Sequence, residues 1–134
     1  AAKIAQADEY IQGFNDGYDT VIGEKGMSLS GGQKQRLSIA RAIIGSSEIL
    51  IFDDSTSALD LGTEARLQRA LRTQLKGVTV IIIAQRIASV KNADRIVLLE
   101  NGMINGIGTH EQLLESNSVY QDIYSSQENK GGAC

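Results

Sequence analysis

The sequence predicts an α/β fold with parallel core strands, a helical N-terminal part and a C-terminal β-hairpin. Three observations predict it. Ile49-Leu50-Ile51-Phe52 and Val78 to Ile83 are continuous apolar runs. Such runs are typical of parallel strands covered by helices on both faces. Between them, Glu64 to Leu75 carries Leu67, Leu71 and Leu75 at helical spacing, and strand–helix–strand is a βαβ unit. Further on, Asn101-Gly102 between two apolar stretches is a strong hairpin-turn signal.

The remaining elements follow in order. Ile4, Ala7 and Ile11, with Ala5 and Tyr10 adjoining, predict a short helix over 3–12. Gly13, Asn15, Asp16 and Gly17 make a loop, and Tyr18 to Met27 reads as irregular. From Gly32 to Ile44 the pattern is helical, with Leu37, Ala40 and Ile44 on one face. Ile39 and Ile43 widen that stripe, which predicts burial over much of the circumference. Ser30 suits its N-cap and Gly45 its C-terminal stop. Arg95 to Glu100 reads as a third strand, with Met103 to Ile107 pairing antiparallel at an edge. Thr109 and Gln112 have capping-box spacing before a helix at His110 to Glu115. A last helix, about Ser118 to Gln127, carries Tyr120, Ile123 and Tyr124.

Composition bounds the function. The chain has 134 residues, 42% hydrophobic and 22% charged, a globular balance that excludes disordered, collagen-like and mucin-like classes. A net charge of −3 offers no basic field for nucleic acid. Val78 to Ala84, interrupted by Thr79, is far too short to cross a bilayer. The first residues lack the charged start and apolar block of a secretory leader. The lone Cys134 cannot form an internal disulfide, which predicts a reducing compartment. Proline is absent, the first residue is Ala1, and the chain ends in Gly131-Gly132-Ala133-Cys134. Together these predict a cut or processed piece of a longer chain with a flexible tail.

The chemistry lies at a few positions. Leu29-Ser30-Gly31-Gly32-Gln33 opens a helix, where glycines let backbone N–H groups approach an anion and the helix terminus favours negative charge. Alone, such a start is more often a simple turn. Asp53-Asp54 ends the first buried strand, at the edge where α/β sheets bind ligands and where a carboxylate can hold Mg²⁺ through water. Ser57-Ala58-Leu59-Asp60 follows, and Gln85 stands just after the second strand. His110 has no clustered partners that would make it a ligand, and Glu64, the acid within Glu64 to Lys76, reads as part of a solvated helix face.

This ordered set resembles the C-terminal part of an ATP-binding-cassette (ABC) nucleotide-binding domain of the exporter type. Leu29 to Gln33 matches the signature motif and Lys34-Gln35-Arg36 continues it. Ile49 to Asp53 matches Walker B, Ser57 to Asp60 the D-loop, and Ile83-Ala84-Gln85-Arg86 the switch region. Thr20 to Gly26, with Glu24, is similar to the X-loop that faces the membrane domains, and Gly108 to Leu114 matches the exporters' C-terminal segment. The resemblance implies part of a P-loop NTPase, RecA-like ABC ATPase fold. Residues 1–45 would be part of its helical subdomain, 46–127 the C-terminal part of its core, and 128–134 a flexible tail. It implies ATP and Mg²⁺, with Asp53 toward the metal, Asp54 and Gln85 at catalytic positions, and Glu24 in coupling. Ser30, Gly31, Gly32 and Gln33 would meet a nucleotide held by a second domain, with Ser57 and Asp60 in the D-loop. The implied partners are that second nucleotide-binding domain, head to tail, the transmembrane domains, and the half carrying Walker A, at the cytoplasmic face of the cell membrane. No nucleic acid is implied.

Three departures stand out. No Gly-x-x-x-x-Gly-Lys-Ser/Thr occurs, so Walker A is absent from these residues, as are the A-loop aromatic and the Q-loop. Asp54 stands where the family's base is Glu, and Gln85 where the switch residue is His. Two replacements resemble the degenerate site of a heterodimeric exporter, with the intact signature serving the competent site across the interface. Two alternatives stay open: a split-head ABC ATPase of DNA repair or chromosome organisation, and a non-enzymatic interaction fragment. The absence of heptads in residues 1–28 weighs against the first.

Overall fold

The computed structural model describes residues 1–23 and 28–131. The chain divides into two compact units, Ala1–Ile83 and Ala84–Cys134. Within the first unit, Ile39 and Ala40 share one core with Leu50, Phe52, Leu67 and Leu71.

The first unit holds α1 (Asp8–Gln12), α2 (Gly31–Ile44), β1 (Ile49–Asp53), α3 (Leu61–Gln74) and β2 (Thr79–Ile83). The two strands are parallel, with Ile51 opposite Ile81 and Asp53 opposite Ile83. Ser30 caps α2 through a full capping box: its side chain accepts from the Gln33 N–H, and Gln33 Oε1 accepts from the Ser30 N–H. Two of the helix's orphan donors are thereby satisfied or replaced. Asp60 caps α3 by accepting from the Thr63 N–H at 2.9 Å. Leu67 is wholly buried, and truncation of such a leucine costs about 2–5 kcal/mol.

The second unit holds β3 (Ile96–Glu100), β4 (Met103–Gly108), α4 (His110–Ser116) and α5 (Ser118–Gly131). Asn101 (φ 51°) and Gly102 (φ 78°) both take left-handed backbone, as a two-residue hairpin of primed type requires. The Thr109–Gln112 capping box opens α4. Asn117 Oδ1 accepts from the Tyr120 N–H at 2.9 Å at the start of α5. Gly106 has no room for a side chain, since a Cβ there would lie 2.7 Å from Asn117 Nδ2. Ile87, Ile96, Leu113 and Tyr120 form this unit's core.

Several expectations are corrected. The helix expected over 3–12 is only Asp8–Gln12, because Gln6 takes a left-handed φ of 58° and breaks the path. In α2 only Ile39 and Ala40 are buried, and Ile44 is 70% exposed, so the apolar stripe is not covered all round. The strands are covered on one face: Leu50 and Phe52 are buried, while Ile49, Ile51, Ile81 and Ile83 are exposed. The hairpin does not extend the parallel sheet; each pair of strands is its own sheet. The last helix runs on to Gly131, so residues 128–131 are helical rather than tail. Glu64 is buried, not solvated, and accepts from Thr56 Oγ1 at 2.8 Å.

Candidate functional site

The site is built where α2 begins and β1 ends, within the first unit. Ser30 and Gly31 are exposed at the start of α2. Gly31 and Gly32 contribute the first N–H groups of a helix, which have no intrahelical acceptor. The positive end of the helix dipole lies there, so the terminus suits an anion. An added Cβ at Gly31 would meet only Ala58 Cβ at 3.6 Å, but at Gly32 it would lie 3.0 Å from the Ala58 carbonyl oxygen. Glycine at position 32 therefore permits close approach of α2 to the turn 57–60.

Asp53 and Asp54 are exposed at the C-terminal end of β1. Asp54 takes a left-handed φ of 48°, which aspartate tolerates better than most residues. Its N–H donates to the Ile83 carbonyl at 3.2 Å, extending the β1–β2 ladder by one bond. Its carbonyl accepts from Ser57 Oγ at 3.1 Å. Gln35, one turn into α2, closes the arrangement: its Nε2 donates to Ser57 Oγ at 3.0 Å and its Oε1 accepts from the Ala58 N–H at 3.0 Å. Asp60 has a capping task, and the Thr63 backbone N–H it accepts holds its carboxyl below the usual carboxylate range.

The first turns of α2 are braced from below. Tyr10 Oη donates to the Gln33 carbonyl at 3.0 Å, and the Arg36 guanidinium lies 4.8 Å from the Tyr10 ring centroid. Burial raises the Tyr10 phenol above its ordinary range, and the nearby Arg36 charge opposes that shift. Gln85 is the second residue of the second unit, where its carbonyl accepts from Gln127 Nε2 at 2.8 Å. His110 Nδ1 lies 2.9 Å from Tyr120 Oη, a contact between packed helices. Glu24 and Cys134 lie outside the described residues. Among the described residues no three His, Cys, Asp or Glu cluster to hold a metal, and no helix is long and apolar enough to cross a membrane. One or two carboxylates at a strand end still fit Mg²⁺, which takes its other ligands from phosphate and water.

Residues 2–57 match the family model described as ABC transporter. The chain is 52% identical over 127 residues to the uncharacterized ABC transporter ATP-binding protein YknU of Bacillus subtilis (strain 168), covering 95% of this chain and 22% of that protein. It is 50% identical over 127 residues to the ATP-dependent lipid A-core flippase of Haemophilus influenzae (strain 86-028NP), with 95% and 22% covered. A solved structure described as a bacterial Atm1-family ABC exporter with ATP bound superposes with a TM-score of 0.88 at 37% identity, over 94% of this chain and 22% of that one. The chain is thus similar, over nearly its whole length, to ABC transporter ATP-binding domains of the exporter type. The chain spans about a fifth of the length of these relatives, and the ABC ATPase fold it carries is partial, without the Walker A half.

Three residues of the site make contacts that the local sequence pattern does not predict. Gln35 touches a turn 22 residues away, Tyr10 touches a carbonyl 23 away, and Glu64 is buried against Thr56. Only Gln35 carried a signal, as part of the tripeptide that continues the signature motif.

Proposed function

We propose that this chain is the ATP-binding and ATP-hydrolysing component of an ABC exporter, in which closure of two such domains, head to tail, drives transport. The observation that carries the reading is the capped, exposed start of α2, with Ser30, Gly31 and Gly32 presenting a hydroxyl and backbone N–H groups to an anion. The names of the exporter relatives favour transport over a chromosome-organising head. In this reading the α2 start meets the terminal phosphate of a nucleotide cradled by the second domain. Asp53 would hold Mg²⁺ with the chain's own nucleotide, and the metal supplies charge neutralisation at the phosphates. The transmembrane domains, through Glu24, and the Walker A half are the other partners, at the cytoplasmic face of the membrane. The exposed Ile49, Ile51, Ile81 and Ile83 supply an apolar face that the Walker A half can cover.

We further read the chain's own site as the weak one of a heterodimeric pair. The Asp54 carboxylate is one methylene shorter than glutamate and stands back by roughly 1.3 Å. A misplacement of about 1 Å can cost about 10²-fold in rate. Gln85 can donate a hydrogen bond but cannot become an imidazolium. The test is site-resolved ATPase of the complete transporter. Asp54→Glu combined with Gln85→His should raise turnover at this site; an unchanged rate would remove the weak-site reading. A complete transporter that hydrolyses no ATP would overturn the function itself.

A further inference from the structure

We propose that Gln35 is a positioning residue that ties the start of α2 to the turn 57–60 and, through Ser57, to the backbone of Asp54. The orientation of its amide follows from its partners. The Ala58 N–H can only donate, so it must meet Oε1, 3.0 Å away. Nε2 is thereby turned to Ser57 Oγ, also 3.0 Å away. The Ser57 hydroxyl accepts that bond and spends its own proton on the Asp54 carbonyl at 3.1 Å. One relay thus runs from α2 to Asp54. The Gln35 amide also lies 3.5 Å from that same carbonyl.

What the relay holds is a costly conformation. A non-glycine residue in left-handed backbone persists only where its surroundings over-determine it. Asp54 is fixed on one side by its N–H on Ile83 and on the other by the Ser57 hydroxyl. The approach of Gly32 to the Ala58 carbonyl makes the same join from the helix side. The consequence is mechanical. The α2 start, which faces the second domain's nucleotide, and Asp54, which faces the chain's own, cannot shift independently while Gln35 is in place.

The experiment uses the complete transporter with Gln35→Met, which keeps the length of the side chain and removes both hydrogen bonds. Its turnover arm rests on the ATP-hydrolysing reading above; its exchange arm does not. Amide exchange over residues 55–59 should quicken, because the Ala58 N–H loses its acceptor. The turnover number should fall by roughly 10- to 100-fold with KM for ATP little changed, as expected when reacting groups are displaced but binding is kept. Gln35→Glu retains an acceptor for Ala58 and should recover part of the loss. Gln35→Met with Ser57→Ala should be no slower than the slower single variant, since both break one relay. Wild-type exchange in Gln35→Met would overturn the proposal, whatever the turnover. So would wild-type turnover in an active transporter. If wild type shows no turnover, the functional reading fails and exchange alone decides on Gln35. If Gln35→Met does not fold, Ser57→Ala gives the same readout from the other end: slowed turnover supports the relay and full turnover overturns it.

Discussion

Tyr10 Oη donates a 3.0 Å hydrogen bond to the carbonyl of Gln33, so a five-residue helix near the chain's start props up the first turn of α2. Arg36 packs over the same ring and donates to the Gln6 carbonyl at 2.7 Å. Tyr10→Phe removes one donor and leaves the ring, so it should destabilise the complete ATP-binding domain by about 0.5–1.5 kcal/mol. Urea unfolding reads this directly. Because burial raises the Tyr10 pKa, its contribution is full below the unfolded value of about 10 and is lost as pH rises through the folded one. The gap between wild type and Tyr10→Phe should therefore narrow on the alkaline side.

Asp60 gives the opposite pH dependence. Its pKa is lowered, first by the Thr63 backbone hydrogen bond. Its ionised cap therefore stabilises α3 above the unfolded value of about 3.9, and that stability is lost as pH falls through the folded value. Asp60→Asn keeps a capping oxygen and removes the titration. Melting temperatures near neutrality should favour wild type, and the difference should vanish in acid. A difference independent of pH would assign the effect to something other than the carboxylate.

The local signals of this chain were legible, and the covering partners were not. Ser30, Thr109 and Asn101-Gly102 do what their side chains and backbone dictate over three or four residues, so the helix starts and the hairpin turn follow from sequence. The apolar runs at 49–52 and 78–83 predict strands covered on both faces. An apolar run declares a need for cover but not which segment supplies it, and one face stays open. The acidic first turn of α3 looks the same whether Glu64 faces water or Thr56. For the site, Gly31 and Gly32 stand at the start of α2 as the motif suggests, but the Gln35–Ser57 contact joins residues that no local pattern relates.

The open sheet face makes its own prediction. Ile51 and Ile81 are paired across β1 and β2 and are 62% and 44% exposed, with Ile49 and Ile83 beside them. A contiguous apolar patch on a sheet with unpaired edges favours association. The 134-residue chain alone should self-associate with rising concentration in sedimentation velocity. Ile51→Lys with Ile81→Lys should shift it toward monomer, because both side chains lie on the open face and the backbone ladder is unchanged. A wild-type chain that sediments as a monomer throughout would show that the face is not sticky.

The start of α2 separates a capping role from a phosphate-binding one, because the two make opposite demands on Gly31. Gly31 is the first residue of the helix, and a Cβ there meets only ordinary contact at 3.6 Å. A carboxylate in the first turn favours the helix dipole by about 0.3–1 kcal/mol. Gly31→Asp should therefore fold at least as stably as wild type. The same carboxylate placed against a phosphate repels it, and loss of one preorganised donor of this kind costs about 10²–10³ in rate. Under the proposed function, turnover of the complete transporter, normalised to folded protein, should thus collapse in Gly31→Asp with no loss of stability and with ATP still bound by the second domain. Gly31→Ala should retain most turnover, since it adds no charge. Gly32→Ala should lose both stability and turnover, because its Cβ would lie 3.0 Å from the Ala58 carbonyl and push the turn away. Near-normal turnover in Gly31→Asp would leave the Ser30–Gln33 segment with the task of capping α2 alone.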